Sequence, residues 1–311
     1  NYWTTYKNKN ILNHTYDNNA VYEKIIKNSI LNHNENLLII AYGQTGSGKT
    51  HTLVGNENEY GLIPIIVKDL IDTNQEIDFN ALEIYNNTIY DILKTKKQSV
   101  NILECNNRLH YTTKLNNYKI KSMIDLKNIM KTIQQNKKIG CTKLNDSSSR
   151  SHTIYFFFNH TSKKKIIAID LAGNEKGKLS LAKNKEDFKE YISINQSLFS
   201  LKECIRSLHQ KKKYVPFRRS KLTLLLREIL TDNINLNFIG TLNPSLICYS
   251  DIIDTIEYGL CLKNANIKKI IKNIEVPNNF DQIEKLTRRL SEENLKKNKT
   301  LIKSMSDPLI S

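Results

Sequence analysis

Residues 41–53, which read AYGQTGSGKTHTL, constrain the fold of this chain more than any other stretch of its sequence. They contain the spacing G-x-x-x-x-G-K-T over 43–50, directly after a short apolar run, 37–42, that predicts a buried parallel strand. Residues 49–53 predict the start of a helix. A chance connection rich in glycine and serine is the alternative, but it would not need all eight positions in this order. The pattern therefore indicates a phosphate-binding loop in an α/β fold.

The side chains of this loop suit a nucleotide and a magnesium ion. Glycines let the backbone turn so tightly that consecutive N–H groups point at a phosphate, and the following helix adds its positive N-terminal end. In such loops the lysine, here Lys49, reaches the β- and γ-phosphates, and the next hydroxyl, here of Thr50, binds Mg²⁺. We therefore predict that the whole loop contacts the nucleotide, through Gly43, Gln44, Thr45, Gly46, Ser47, Gly48, Lys49 and Thr50.

The charge of the chain favours an acidic partner. Its 311 residues suffice for one large α/β domain or two ordinary ones. The 47 lysines and arginines exceed the 31 acidic residues, and the formal net charge of +16 favours nucleic acid, an anionic membrane or an acidic protein surface. Asparagine and lysine are abundant throughout, so a compositional bias explains part of this excess. Only local basic clusters are therefore interpreted as binding surfaces.

Cysteine usage indicates a reducing compartment. The five cysteines are scattered and form no C-x-x-C pair, so neither a zinc site nor a disulfide framework is predicted, and a cytosolic location fits. No apolar run approaches the ~20 residues of a membrane-spanning helix, and no signal peptide is visible. Because the chain begins with Asn1 and not with methionine, we expect it to be part of a longer protein.

Helix-like and strand-like segments alternate along the chain. Helical spacing of apolar residues predicts helices at 20–31, 64–71, 124–135, 192–209, 221–230 and 252–265. Apolar runs at 78–85, 153–160, 164–173 and 236–244 predict strands, and the middle two form a β-hairpin whose second strand ends at Asp170. This alternation predicts an α/β class.

The composition changes after about residue 273. The stretch VPNN at 276–279 interrupts the pattern, and 281–299 offers one heptad of apolar spacing, too little to predict a coiled coil. We predict a domain over 1–273 and a linker over 274–311. The linker is expected to be a solvated helix or disordered, with the start of a coiled coil as the alternative.

Further motifs identify the kind of phosphate-loop protein. Five stretches carry them, in this order: ALEIYNNTIYDIL at 81–93, NDSSSRSH at 145–152, DLAGNE at 170–175, SINQSLFSL at 193–201 and VPFRRSKLT at 215–223. With the phosphate loop, they resemble the kinesin motor domain from about Tyr2 to Asn273. The resemblance implies the P-loop NTPase fold of kinesins, with a central, mostly parallel twisted sheet flanked by helices, and ATP and Mg²⁺ as its cofactors.

The resemblance also implies roles for residues around the phosphates. ATP hydrolysis needs positioning and charge stabilisation more than covalent help. By resemblance, 145–152 is switch I, and Ser148 and Ser149 lie near Mg²⁺ and the attacking water. Switch II is 170–175, in which Asp170 holds a water of the Mg²⁺ shell.

Three further roles follow from the resemblance. Gly173 would sense the γ-phosphate through its backbone N–H, where a side chain would obstruct. Arg150 would pair with Glu175 and close the site, an ordinary ion pair being the alternative. His51 would lie beside the adenine, and the alternative for this residue is a packed helix position.

A basic cluster indicates the surface that binds a polymer. The predicted helix 192–209 resembles the family's relay helix, which lies on the microtubule. Beside it is a set of basic residues that we predict to contact acidic tubulin: Lys211, Lys212, Lys213, Arg218, Arg219 and Lys221. A solvated run of charges is the alternative. Nucleic acid is disfavoured because aromatic residues are not interleaved with the basic ones in the way of a stacking surface. Residues 263–279 resemble the junction with the neck linker.

The sequence departs from the family pattern at several positions. The phosphate loop lies so near the start of the chain that the family's first strand is expected to be absent or upstream of residue 1. Lys176 and Gln196 replace an arginine and a lysine, and the usual T-G-A-x-G after switch II is lacking. One alternative is therefore a catalytically weak or inactive kinesin-like tubulin-binding module. Another is a nucleic-acid-linked P-loop NTPase, which the serine-rich switch I disfavours.

The expected activity is a microtubule-stimulated ATPase that moves along microtubules or disassembles them. SLKECIRSL at 200–208, together with DLAGNE at 170–175 and PFRRSKLT at 216–223, resembles the depolymerising branch. The neck-linker-like segment favours a translocating motor instead. The expected location is the cytoplasm, on the microtubule cytoskeleton including the spindle. Tubulin is the expected partner, without nucleic acid or membrane insertion, and a homodimer would form through residues beyond the motor domain.

Overall fold

The computed structural model describes residues 2–5, 10–12, 16–31, 35–94, 98–105, 108–111, 115–139, 149–174, 185–232, 234–243, 245 and 248–264. The described residues belong to one compact unit, Asn1–Lys268. The predicted linker 274–311 and the boundary at 273 lie outside the described residues and stay predictions.

A mixed sheet forms the centre of the fold. Its strands, with a separate two-stranded pair, are β1 (Tyr2–Thr5), β2 (Asn10–Leu12), β3 (Asn36–Tyr42), β4 (Ile77–Tyr85), β5 (Thr88–Asp91), β6 (Gln98–Val100), β7 (Ile102–Cys105), β8 (Arg108–Tyr111), β9 (Tyr118–Ile120), β10 (His152–Asn159), β11 (Lys164–Asp170) and β12 (Ile234–Leu242). The sheet order is β2-β1-β12-β3-β11-β10-β4-β5-β6, with β9 also beside β4, while β7 pairs with β8 alone. The five predicted strands, including the one before the phosphate loop, and the hairpin are confirmed.

The prediction of a mostly parallel sheet is wrong. Parallel pairing is confined to β3 and its two neighbours, β11 and β12, and the other described pairings of the sheet are antiparallel. The tight turn at 160–163 joins β10 to β11, and so short a connection permits only antiparallel pairing. These antiparallel strands are buried on both faces and therefore read as the continuous apolar runs that are typical of parallel strands.

The chain's own first residues form one edge of the sheet. β1 pairs antiparallel with β12, Tyr2 lying opposite Leu242, and β2 pairs antiparallel with β1. Residues 2–12 therefore supply two edge strands beyond β12. The expectation of a further strand upstream of residue 1 stays a prediction.

Helices cover both faces of the sheet. They are α1 (Asn18–Val21), a π-helical stretch (Tyr22–Ile26) that continues into α2 (Lys27–Leu31), then α3 (Lys49–Leu53), α4 (Leu62–Asp72), α5 (Met123–Ile139), α6 (Lys185–His209), α7 (Lys221–Thr231) and α8 (Tyr249–Asn264). All six predicted helices are present, and α6 begins at Lys185, well before the predicted start at 192. Among the described residues, no helix combines the length and the apolarity needed to cross a membrane.

The two hydrophobic cores meet at β3. Leu37, Ile39 and Ala41 face the core shared with α4 and α5, whereas Leu38, Ile40 and Tyr42 face the core shared with α6, α7 and α8. Successive side chains of a strand point to opposite faces, so an unbroken apolar run fills both cores. This arrangement holds the start of the phosphate loop on a strand that is buried on both sides.

We expect Leu226→Ala in α7 to lower the free energy of unfolding by about 3 kcal/mol, because Leu226 is fully buried and its removal leaves a cavity. Leu103→Ala is the matched control: it removes the same atoms from a side chain that is 60% exposed and should cost less than about 0.5 kcal/mol. Urea denaturation followed by circular dichroism measures both, and equal losses would contradict the assignment of the core.

Candidate functional site

The phosphate loop and switch II meet because their strands are parallel. In the register of β3 with β11, Ala41 lies opposite Asp170, so both strands end at the same edge of the sheet. The loop leaves β3 after Tyr42, and α3 begins at Lys49. The carboxyl ends of parallel strands are the usual position of ligand sites in α/β folds.

Close packing explains the glycines of the loop. A Cβ atom on Gly43 would lie 2.2 Å from the backbone oxygen of Thr241 in β12, so no side chain fits there. Gly48, which precedes α3, has a φ of 103°, a conformation that side-chain-bearing residues rarely adopt. The hydroxyl of Ser47 donates to the Gln44 carbonyl at 2.8 Å and lies 2.5 Å from the Thr241 hydroxyl. The loop is therefore anchored to β12 as well as to β3.

Lys49 is held inside the loop. Its side chain is buried, and its ammonium group donates to the carbonyl oxygens of Gly43 and Gln44 at 2.9 and 2.8 Å. The cation thus lies within the turn whose N–H groups suit a phosphate. The predicted position of Lys49 in the loop is the one the structure shows, and its contact with a phosphate stays a prediction.

Thr50 and Asp170 form the pair that fits a magnesium ion. The Thr50 hydroxyl donates to Asp170 Oδ2 at 2.6 Å. Asp170 is buried, and its Oδ1 atom has no hydrogen-bond partner. A buried carboxylate oxygen without a partner is costly, and Mg²⁺ with its bound waters would supply one. The hydroxyl and carboxylate donors are the types that Mg²⁺ prefers, so these residues fit the ion that the resemblance implies.

The two switch segments touch each other next to this pair. The backbone N–H of Gly173 donates to the carbonyl oxygen of Ser149 at 3.0 Å. The structure therefore brings together two of the residues predicted to lie near the γ-phosphate. Ser148 and Glu175 lie outside the described residues, so their predicted roles stay predictions.

Arg150 binds the first turns of α6. Its guanidinium donates to Asp187 at 2.9 Å and to Glu190 at 2.5 Å, and it lies 5.2 Å from the ring centre of Tyr191. Both carboxylates are buried, and Tyr85 also donates its hydroxyl to Glu190. Burial alone would lower the pKa of Arg150, but the hydrogen bonds to the two carboxylates raise it above its ordinary value. Sequence reasoning missed this cluster, although Asp187 and Glu190 have the i, i+3 spacing of one helix face.

His152 connects switch II to the middle of α6. Its Nδ1 accepts the backbone N–H of Ala172 at 2.9 Å, and its Nε2 lies 2.6 Å from the Ser197 hydroxyl. Burial, with a smaller contribution from the charge of Lys49, lowers the pKa of His152 to about 3. The imidazole is therefore neutral. The sequence motif SSRSH does not predict these contacts, because Ala172 and Ser197 lie far along the chain and are brought to His152 by the fold.

His51 lies in α3, just past the loop. Its Nε2 is 3.4 Å from Glu59 Oε2, and its backbone oxygen accepts from the Asn18 side chain at 3.3 Å. The side chain of His51 is partly exposed, 34%. Its contact with an adenine stays a prediction.

The predicted basic cluster lies on the connection from α6 to α7. Lys211 has a φ of 50°, and the N–H groups of Lys211 and Lys212 donate to the carbonyls of Leu208 and Ser207, which is a Schellman cap. Glycine is usual at that left-handed position. Lysine there adds a positive charge to the cluster, although its backbone conformation is less favourable than that of glycine. Exposed members of the cluster are Lys211, Lys212, Lys213, Arg218 and Arg219, and Lys221 is partly exposed.

The outer face of α6 adjoins this cluster and carries large apolar side chains. Phe188, Ile192 and Phe199 are 46%, 45% and 57% exposed. Their spacing of four and seven residues places them on one side of the helix. Exposed apolar groups beside basic ones are typical of a protein-binding surface, and the sequence analysis did not single them out.

We expect Arg150→Ala to lower the free energy of unfolding by about 3 kcal/mol, because it leaves two buried carboxylates without their cation. The control is Arg206→Ala, which removes an exposed arginine of α6 itself. Arg206 lies 3.7 Å from Glu203, and its loss should lower the free energy of unfolding by less than about 1 kcal/mol. Thermal and urea denaturation measure the difference. Equal effects would show that the Arg150 cluster does not hold α6.

Sequence comparisons find one family. The kinesin motor-domain model matches residues 2–265. Kinesin-related protein 7 of Dictyostelium discoideum is 32% identical over 258 residues, which are 76% of this chain and 20% of that protein. The kinesin-like protein KIN-10C of Oryza sativa subsp. japonica is 34% identical over 227 residues, 71% of this chain and 38% of that protein. The chain thus spans well under half the length of these two relatives.

Solved structures agree with the sequence comparisons. A structure described as that of a fast kinesin superposes with a TM-score of 0.70 and 26% identity, over 88% of this chain and 85% of the other. A KIF14 dimer with AMP-PNP, in complex with a microtubule, superposes with a TM-score of 0.70 and 25% identity, over 84% and 81%.

Proposed function

The chain belongs to the kinesin motor-domain family, and on that basis we propose that it is a microtubule-stimulated ATPase that converts ATP hydrolysis into movement along, or disassembly of, microtubules. The observation that carries the proposal is the convergence of Lys49, Thr50 and Asp170 at one edge of the sheet, with a buried carboxylate oxygen left without a partner. These groups suit a nucleotide triphosphate and its metal ion.

Hydrolysis at this site depends on positioning. The loop amides and Lys49 bind and orient the β- and γ-phosphates, while Thr50 and Asp170 would hold Mg²⁺. The metal ion would neutralise charge that develops on the phosphate oxygens. Ser149, whose carbonyl oxygen accepts the Gly173 N–H, would help switch I to position the attacking water.

Release of the γ-phosphate would change a hydrogen bond of switch II. The N–H of Gly173 donates to the Ser149 carbonyl, and a γ-phosphate oxygen would compete for that N–H. Only one acceptor can hold this donor well, so the bond to Ser149 and the bond to the phosphate represent two states of the switch. Arg150 and His152, close by in switch I, both contact α6.

The polymer surface combines charge and apolar contact. The exposed lysines and arginines after α6 complement acidic tubulin, and Phe199 and Ile192 add apolar area on the adjacent helix face. KIF14, which this fold resembles, was solved in complex with a microtubule. The protein would accordingly be found on the microtubule cytoskeleton, and dimers would form through residues beyond the motor domain.

We expect steady-state ATP hydrolysis to rise strongly when stabilised microtubules are added and to lose that rise at high salt, because screening weakens charge contacts. Lys49→Ala should lower the rate by about 100-fold, since it removes the cation inside the loop. Lys68→Ala, an exposed lysine of α4, is the control and should change nothing. Microtubule binding without any hydrolysis would instead identify a tubulin-binding module, and unchanged hydrolysis in Lys49→Ala would contradict the site.

The basic cluster has its own test. The double variant Lys212→Ala, Lys213→Ala should raise the microtubule concentration for half-maximal stimulation about tenfold, or ~1.4 kcal/mol, because two rim charges are lost. Lys127→Ala, Lys131→Ala removes the same charge from α5, which packs on the opposite face of the sheet. Equal effects of the two double variants would show that only net charge matters.

A further inference from the structure

A chain of three hydrogen bonds runs from switch II into the middle of α6. The Ala172 N–H donates to His152 Nδ1 at 2.9 Å, His152 Nε2 lies 2.6 Å from Ser197 Oγ, and Ser197 Oγ donates to the Ile194 carbonyl at 2.7 Å. His152 and Ser197 are both buried, 3% and 5% exposed. Water therefore does not compete for these bonds, and each is stronger than it would be at the surface.

The direction of every bond in this chain is fixed. Because a backbone N–H can only donate, Nδ1 of His152 must accept from Ala172. Nε2 then carries the ring proton and donates to Ser197, whose own proton goes to the Ile194 carbonyl. A proton on Nδ1 would face the Ala172 N–H, and burial keeps the ring neutral. No other set of protonation states satisfies all of these groups at once.

His152 lies in a segment of switch I that also contacts switch II at a second position. His152 opens β10, opposite Ile84 of β4, so strand pairing holds its backbone. Three residues earlier, Ser149 accepts the N–H of Gly173. One short segment of switch I thus holds two successive amides of switch II, and one of them is bonded through His152 to α6.

We propose that His152 and Ser197 are positioning residues that set the Ala172–Gly173 backbone relative to α6, so that a partner bound on α6 changes how switch II meets the γ-phosphate. This inference rests on the proposed ATPase and on α6 as the polymer surface. It assigns the contact by which the two are coupled. Neither residue touches a reacting atom.

A structural role and a positioning role differ in what they change. If the pair only fills a buried space, its loss lowers stability and changes the basal and the stimulated rates by the same factor. If the pair couples two sites, its loss lowers the ratio of these rates, because coupling is a free energy between the sites.

The chain offers matched variants for the test. Ser197→Ala removes the acceptor of His152, whereas Ser197→Thr keeps the hydroxyl. His152→Asn keeps an acceptor for the Ala172 N–H but is too short to reach Ser197. Ser200→Ala is the control, since Ser200 lies in the same helix, is 1% exposed and has no hydrogen-bond partner for its hydroxyl.

The first measurement is ATPase activity with and without microtubules. We expect Ser197→Ala to lower the ratio of stimulated to basal rate by about tenfold, with its basal rate changed less than about threefold, and His152→Asn to lower the same ratio. Ser197→Thr should restore the ratio, and Ser200→Ala should keep it. An equal loss of both rates, or the same effect from Ser200→Ala, would overturn the proposal.

The second measurement needs no turnover. Hydrogen–deuterium exchange at the Ala172 amide should be faster in Ser197→Ala than in wild type and unchanged in Ser200→Ala, because an unanchored imidazole holds that N–H less well. Unchanged exchange in Ser197→Ala would refute the positioning role. A wild type that lacks ATPase activity but shows the faster exchange in Ser197→Ala would refute the proposed function and leave the positioning contact standing.

Discussion

The parallel pairing of β3 with β11 and β12 is the constraint on which the rest of the structure depends. It ends three buried strands at one edge, so that the phosphate loop follows β3, Asp170 ends β11 and Thr241 of β12 packs against Gly43. Each strand brings one part of the site. Because β3 is buried in both hydrophobic cores, this edge cannot shift without disturbing the packing on both faces of the sheet.

Three side chains outside helix α6 hold it beside this edge. Arg150 holds its beginning through buried ion pairs, His152 holds Ser197 through hydrogen bonds, and the Tyr258 hydroxyl donates to the Leu198 carbonyl. Tyr258 is stacked on Tyr42, the last residue of β3, with ring centres 4.2 Å apart. The helix that presents the basic and apolar surface is therefore in contact with switch I and with the strand that precedes the phosphate loop.

Local signals explain what the sequence could predict. The loop at 43–50 depends on glycine conformations and the hairpin of β10 and β11 on a short turn, and both features lie within a few residues. The partners of Arg150 were not predictable, because Asp187 and Glu190 belong to a charged segment without apolar periodicity and lie far along the chain. The antiparallel flanks were missed for a different reason: burial on both faces removes the alternation that distinguishes such strands.

The placement of Ser197 has a mechanical consequence. Helix α6 has 25 residues, Lys185–His209, and Ser197 is its central one, so each half extends for about 18 Å. Hydrogen bonds at Ser197 and Leu198 oppose sliding of the helix along its axis, whereas a small rotation about the centre, with Ser197 as its pivot, keeps both bonds. A rotation of ~10° about that pivot would move each end by about 3 Å in opposite directions, given the rise of a helix per residue. The end that contacts Arg150 would therefore move as far as the end that leads into the lysines.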